Sequence, residues 1–145
     1  GNGLDNTLTG NRGDNVLDGA GGADRLIGGL GGDGFVLSSN VGVDTIVDFE
    51  SGSDLILLDA LAFGLFNKET LTGYDEGTVK SADFTVIEKG KTMTENSGAY
   101  FIYDKNDGAL SVDSDGAGSA LAVDVAELNT LHSDDLVASD LYILL

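Results

Sequence analysis

One apolar side chain recurs every nine residues at the start of the chain: Leu8, Leu17, Leu26 and Phe35. Each sits in a short segment that follows a run of Gly, Asn and Asp. The lines are residues 1–9, 10–18, 19–27 and 28–36; each opens on Gly, and the sixth position is Asn6, Asn15, Asp24 and Asp33. A fixed short period marks a repeat architecture. Two further copies follow once small insertions are allowed. Residues 39–47 place Gly42, Asp44 and Ile46 at positions four, six and eight, and residues 49–57 place Gly52, Asp54 and Ile56 there. The slack is Leu37-Ser38 in one case and Asp48 in the other.

Each unit reads as a Gly-rich turn followed by a three-residue strand. Gly supplies the backbone conformations a tight turn needs. A three-residue strand alternates its side chains, so position eight faces one way and positions seven and nine the other. Two units make one full turn of a coil with two short parallel sheets, its thin interior filled by position eight. Units one, three and five then stack along one edge, and units two, four and six along the other. Asn6, Asp24 and Asp44 form one column; Asn15, Asp33 and Asp54 form the second. Position nine, on the outer face, is polar early (Thr9, Asp18) and apolar later (Ile27, Val36, Val47, Leu57), which predicts that the C-terminal half packs against the later turns.

Charge changes the picture. There are 25 acidic residues against 7 basic ones, a formal net charge of −18. Glu occurs only at positions 50, 69, 76, 88, 95 and 127; every other acid is Asp, which favours turns and holds its carboxylate near the backbone. Such a chain repels itself unless counterions bind, and it repels nucleic-acid phosphates as well. Carboxylates stacked about 4.8 Å apart call for a cation between them. With turn carbonyls aimed into the same gap, the environment is oxygen-only, which favours Ca²⁺ over Zn²⁺ or copper. The chain has no Cys, so neither a disulfide nor thiol chemistry is available. No apolar run is long enough for a membrane span. The first residues do not read as a signal peptide, so an export address would lie elsewhere.

These lines resemble the glycine- and aspartate-rich nonapeptide of RTX proteins, the parallel β-roll that binds calcium. The resemblance implies an all-β fold: a parallel β-roll over residues 1–57, followed by a C-terminal β-sandwich-like cap over residues 58–145. It further implies that each Ca²⁺ takes the position-six side chain and loop carbonyls from two successive turns on one edge. Carried onto this chain, the best sites pair Asp24 with Asp44 and Asp33 with Asp54. Those pairing Asn6 with Asp24, or Asn15 with Asp33, are weaker because Asn is neutral. The implied ligand set extends to the loop residues Gly1, Gly3, Gly10, Arg12, Gly19, Gly21, Gly28 and Leu30, and to Asp48.

The segment Asp44-Thr-Ile-Val-Asp-Phe-Glu-Ser-Gly-Ser-Asp-Leu-Ile-Leu-Leu58 resembles the end of the roll in serralysin-type and related RTX exoproteins. Beyond it, residues 58–66 read as a short helix or turn and residues 82–88 as a strand. Residues 99–104 and 109–113 read as a hairpin about Lys105-Asn-Asp-Gly108. Residues 120–128 read as a strand running into a helix. The stretch from Tyr100-Phe-Ile-Tyr-Asp to Gly116-Ala-Gly resembles the same family's C-terminal cap. Asp113-Ser-Asp115-Gly116 lacks the Glu that closes an EF-hand loop and reads as a solvated turn. The end, Ser133-Asp-Asp-Leu-Val-Ala-Ser-Asp-Leu-Tyr-Ile-Leu-Leu145, resembles the uncleaved signal of type I secretion substrates; it also reads as a last strand docking in the core.

Catalytic chemistry finds little support. His132 is the single histidine, in a polar stretch, and there is no H-E-x-x-H motif or phosphate-binding loop. The expectation is a secreted, non-catalytic bacterial module that folds on calcium. Its partners would be the type I secretion apparatus and upstream domains of a parent protein. The alternative is a carbohydrate-binding or adhesive module, with Arg12, Arg25, Lys80, Lys89 and Lys91 as the cations available to an acidic polysaccharide.

Overall fold

The structure, a computed structural model, describes residues 1–65, 77–88, 100–114, 122–129 and 135–144. Among them are twelve strands and two single 3₁₀ turns, Ser81–Asp83 and Ala138–Asp140. The strands are β1 (Thr7–Thr9), β2 (Val16–Asp18), β3 (Arg25–Ile27), β4 (Gly34–Leu37), β5 (Asp44–Ile46), β6 (Leu55–Asp59), β7 (Gly77–Thr78), β8 (Phe84–Ile87), β9 (Phe101–Asp104), β10 (Ala109–Val112), β11 (Val123–Leu128) and β12 (Leu141–Leu144). They form a seven-stranded sheet, β1-β3-β5-β11-β10-β9-β8, and a five-stranded sheet, β2-β4-β6-β12-β7. The fold is all-β and mostly parallel: seven strand pairings are parallel and three antiparallel.

Parallel neighbours need a crossover connection, usually a helix. Here the segment between β1 and β3 carries β2, which belongs to the other sheet, and the same holds for each successive pair up to β6. The nine-residue period sets the register. Leu8 lies opposite Leu26, and Leu17 opposite Phe35, a step of 18 residues. The steps that span the insertions grow to 20 and 21, yet Leu26 still meets Ile46 and Phe35 still meets Ile56. Leu37 extends β4 by one residue, opposite Leu58, while Ser38 and Asp48 are absorbed outside the strands, because a one-residue slip in a strand would turn its inward side chain outward.

Position eight does face inward. Leu17, Leu26, Phe35, Ile46 and Ile56 are buried, and Leu8, on the edge strand, is half-buried. Positions seven and nine of β1 and β2 are exposed. The C-terminal strands then extend both sheets. β11 adds in parallel to β5, setting Leu128 opposite Ile46, and β12 adds to β6, setting Leu141 opposite Ile56. One continuous core runs from Leu17 to Ile143, thickened by Phe49, Phe101, Leu110, Val125 and Leu136. The Phe35 and Phe49 rings meet at 6.3 Å and 51°, a tilted arrangement.

The C-terminal half packs against the later turns, as expected, by joining them strand to strand at the sheet edges. The open backbone of β5 and β6 supplies that bond, and outward Ile27, Val36, Val47 and Leu57 stay half-buried. The boundary expected after residue 57 falls inside β6. Leu58 is in that strand, and the turn expected from it begins at Ala60. The strand expected from residue 82 starts at Phe84, behind a 3₁₀ turn closed by the Asp83 N–H on Lys80 O (2.9 Å). Residues 123–128 stay extended to the end, with no helix, because the N–H of Asn129 still bonds Ile46 O (2.8 Å).

The hairpin β9–β10 forms as expected, with Gly108 in the left-handed region (φ 82°). Asp113, expected in a solvated turn, is buried, and its N–H bonds Tyr100 O; the rest of that motif, from Asp115, lies outside the described residues. His132, Lys89 and Lys91 also lie outside them. No helix among the described residues is long and apolar enough to cross a membrane.

Candidate metal centre

Strand alternation between the sheets stacks the loops on two edges. On the first edge, loops 1–6, 19–24 and 38–44 are tied by Gly21 N–H to Asn2 O (3.2 Å) and Gly22 N–H to Val41 O (3.0 Å). On the second, loops 10–15 and 28–33 are tied by Leu30 N–H to Asn11 O (3.0 Å), and Ser53 Oγ of the next loop reaches Gly31 O (3.4 Å). Gly29 allows this approach: its φ is 108°, and a Cβ there would strike Asn11 O.

The position-six side chains form the two expected columns. The N–H of Asn6 donates to Asp24 Oδ1 (2.7 Å), and that of Asp24 to Asp44 Oδ1 (3.0 Å). On the second edge the N–H of Asn15 donates to Asp33 Oδ1 (2.8 Å), and that of Asp33 to Asp54 Oδ1 (2.9 Å). Each Asp thus spends one oxygen on the preceding turn. All four are buried, with relative exposures of 1% (Asp24), 3% (Asp33), 7% (Asp44) and 4% (Asp54). Asn6 and Asn15 are half-buried and accept N–H bonds from Asn2 (3.1 Å) and Asn11 (2.7 Å) of their own loops.

The position-one glycines make room for oxygen. A Cβ on Gly1 would collide with Gly19 O and Asn6 Oδ1; one on Gly10 would collide with Gly28 O and Asn15 Oδ1. Gly19 and Gly28 stand against the Oδ2 atoms of Asp24 and Asp33 in the same way. Carbonyl, amide and carboxylate oxygens therefore crowd each edge. Asp24 Oδ2 is the one buried side-chain polar atom among the described residues with no hydrogen-bond partner.

No salt bridge joins any of the four carboxylates to a Lys or Arg. Lys105, by contrast, pairs with Glu88 (2.9 Å) and Asp135 (2.8 Å) in the C-terminal half. Burial pushes the Asp44 carboxyl up from 3.8 to about 6; the Asp24 N–H opposes this, and the negative charges of Asp24 and Asp18 add to it. Burial also raises Asp54, against the N–H groups of Asp33 and Glu50 and with the charges of Asp33 and Asp48.

The remaining expected ligands divide. Gly1, Gly10, Gly19 and Gly28 lie beside the columns. Gly3 and Gly21 stack on each other along the first edge, while Arg12 and Leu30 are exposed. Asp48 is half-buried, and its two oxygens accept the N–H groups of Gly28 (2.8 Å) and Gly29 (2.9 Å), so it anchors a turn. Among the described residues no group of three His, Cys, Asp or Glu side chains is arranged to hold a metal. Each loop brings one column side chain, an amide in the first two units and a carboxylate in the later four, and further oxygens would have to come from carbonyls.

Sequence reasoning missed several acids. Asp5 and Asp14 accept the N–H groups of Ala23 and Gly32 from the next turn, both at 2.9 Å. Their signal was present: in each of the first two units an Asp directly precedes the position-six Asn. Asp140 is buried and accepts from Ser51 Oγ (2.6 Å), Gly52 N–H (3.2 Å) and Val137 N–H (3.0 Å). Nothing periodic marks it. No protein-family model and no curated protein matches the chain.

An edge lined with oxygen, buried and negative, with no salt bridge from a Lys or Arg among the described residues, suits a hard cation. The orphaned Asp24 Oδ2 and the glycine-made gaps beside both columns fit that donor class.

Proposed function

We propose that this chain is a calcium-dependent β-roll module of the RTX kind, secreted and non-catalytic, closed by a C-terminal β-sandwich-like cap. The observation that carries the reading is the burial of Asp24, Asp33, Asp44 and Asp54 with no Lys or Arg paired to any of them. An unpaired buried carboxylate is costly, and in practice it takes a proton or a cation. Asp24 with Asp44, and Asp33 with Asp54, would hold the metal; Asn6, Asn15 and the carbonyls of loop glycines such as Gly19 and Gly28 would add oxygens. Bound Ca²⁺ would supply positive charge that offsets the carboxylate repulsion.

Folding then follows calcium. Where free Ca²⁺ is scarce, the net charge of −18 keeps the acidic repeats open, a state able to thread a type I secretion channel. Outside, where modules of this kind bind at about 10⁻⁴–10⁻³ M, binding free energy becomes folding free energy. The strands that extend both sheets act as the cap of the repeat array, and upstream domains of a parent protein would be the functional cargo.

The test is far-UV circular dichroism during a Ca²⁺ titration, with Mg²⁺ as control. A cooperative gain of β-structure with Ca²⁺ alone is expected. A fold complete in chelator and unchanged by Ca²⁺ would overturn the reading.

A further inference from the structure

On the calcium reading proposed above, the two edges are not equivalent. On the first edge Asp24 is 1% exposed, and its Oδ2 has no donor of any kind. The next acid, Asp44, lies opposite Ala126 of β11, so the first column ends on an apolar neighbour.

The second edge is closed by the chain itself. Asp54 receives Asp33 N–H on Oδ1 and Glu50 N–H on Oδ2, both at 2.9 Å. The Asp48 carboxylate is taken by Gly28 and Gly29 N–H. Past the last loop stands Asp140, 2% exposed, which binds Ser51 Oγ and Gly52 N–H and so ties residues 51–52 to the start of β12. Three carboxylates there already have the donors that burial demands.

We infer that calcium acts chiefly on the first edge, at Asn6, Asp24 and Asp44, while the last loop of the second edge is a metal-independent latch held by backbone N–H groups and Asp140. The physical reason is relative gain. A cation that satisfies an oxygen with no donor removes a full desolvation penalty, whereas one approaching a carboxylate already bonded to N–H groups adds less. The latch lies beside the strands that continue into the C-terminal half, so it offers a preformed end on which the repeats can order.

Hydrogen exchange of the full chain, in chelator and across a Ca²⁺ titration, reads the two edges separately without a substitution. Amides of residues 50–54 are expected to be protected in chelator, and those of residues 19–24 to gain protection only as Ca²⁺ is added. Calorimetric Ca²⁺ titration of Asp24→Asn and Asp54→Asn gives the second reading. Asp24→Asn is expected to weaken binding by about tenfold or more, a change of about 1.4 kcal/mol, and Asp54→Asn by less than about threefold. Equal protection of both loops at one Ca²⁺ concentration, or a larger loss for Asp54→Asn, overturns the inference and leaves the calcium reading standing. A wild-type chain that binds no Ca²⁺ at millimolar concentration removes both.

Discussion

The strands of the repeats and the strands that follow them use the same backbone pairing for different ends. In β1, β2 and β3 the middle residue alone turns inward, and its neighbours are largely exposed. In β9 three of four residues are buried, and in β10 again three of four. The first three repeat strands bury little apolar surface per residue, and the repeats place four carboxylates out of water; β9 and β10 bury apolar surface on both sides, and the ion pairs of Lys105 with Glu88 and Asp135 stay near the surface. A region of the first kind needs something besides its core to hold it, because hydrophobic burial scales with area. A region of the second kind does not.

The sharpest way to break this comparison is to delete apolar bulk in each region. Leu110 of β10 is fully buried; Leu110→Ala is expected to cost about 2–5 kcal/mol, by the same amount in Ca²⁺ and in chelator. Leu8, half-buried on the edge strand β1, is expected to cost under about 1.5 kcal/mol when cut to Ala. Urea unfolding of both variants checks this. Equal costs would mean that the repeats depend on their core as much as the later strands do.

Acidity separates the regions by a smaller margin. The Asp44 carboxyl stands near 6 in the folded chain against 3.8 for the ordinary group, chiefly through burial. The folded state therefore binds the proton more tightly. Its contribution to stability is full below about pH 4 and is lost as pH rises through 6. In chelator, acidification from pH 7.5 to 5 is expected to stabilise the repeats by roughly 1 kcal/mol. With saturating Ca²⁺ the same change weakens metal binding, because proton and cation compete for one carboxylate. Circular dichroism across pH with and without Ca²⁺ reads both signs; stability that rises with pH in chelator would contradict the burial argument.

The smallest expected effect is at Lys105. Its ammonium pairs with Glu88 and Asp135 near the surface, where solvent and salt screen the attraction. Lys105→Met is expected to leave the melting temperature almost unchanged and to remove what salt sensitivity the later strands have. A large loss would show that the C-terminal region, too, leans on charge.

Much of the repeat was legible before the structure. Leu17, Leu26 and Phe35 announced the inward positions because one side chain per nine residues can face a thin interior. Asp24, Asp33, Asp44 and Asp54 announced the columns because equal spacing becomes vertical stacking once strands pair in register. The hairpin at residues 105–108 was equally plain, since its turn ends on the Gly its geometry requires. The latch was not. Asp140 lies far along the chain from Ser51 and belongs to no period, and nothing in the spacing of Asp48 announced that its oxygens accept the N–H groups of Gly28 and Gly29.

By itself the sequence determined the unit: its length, its inward side chain, its loop acid and the sorting of units onto two edges. Those features rest on local alternation and a short period, which act within a few residues. Only the tertiary structure decided how the array ends, with β11 on β5, β12 on β6, one column stopping at Ala126 and the other edge closed by Asp140. Those pairings join distant segments through backbone groups that every residue carries, so side-chain pattern alone does not select among them.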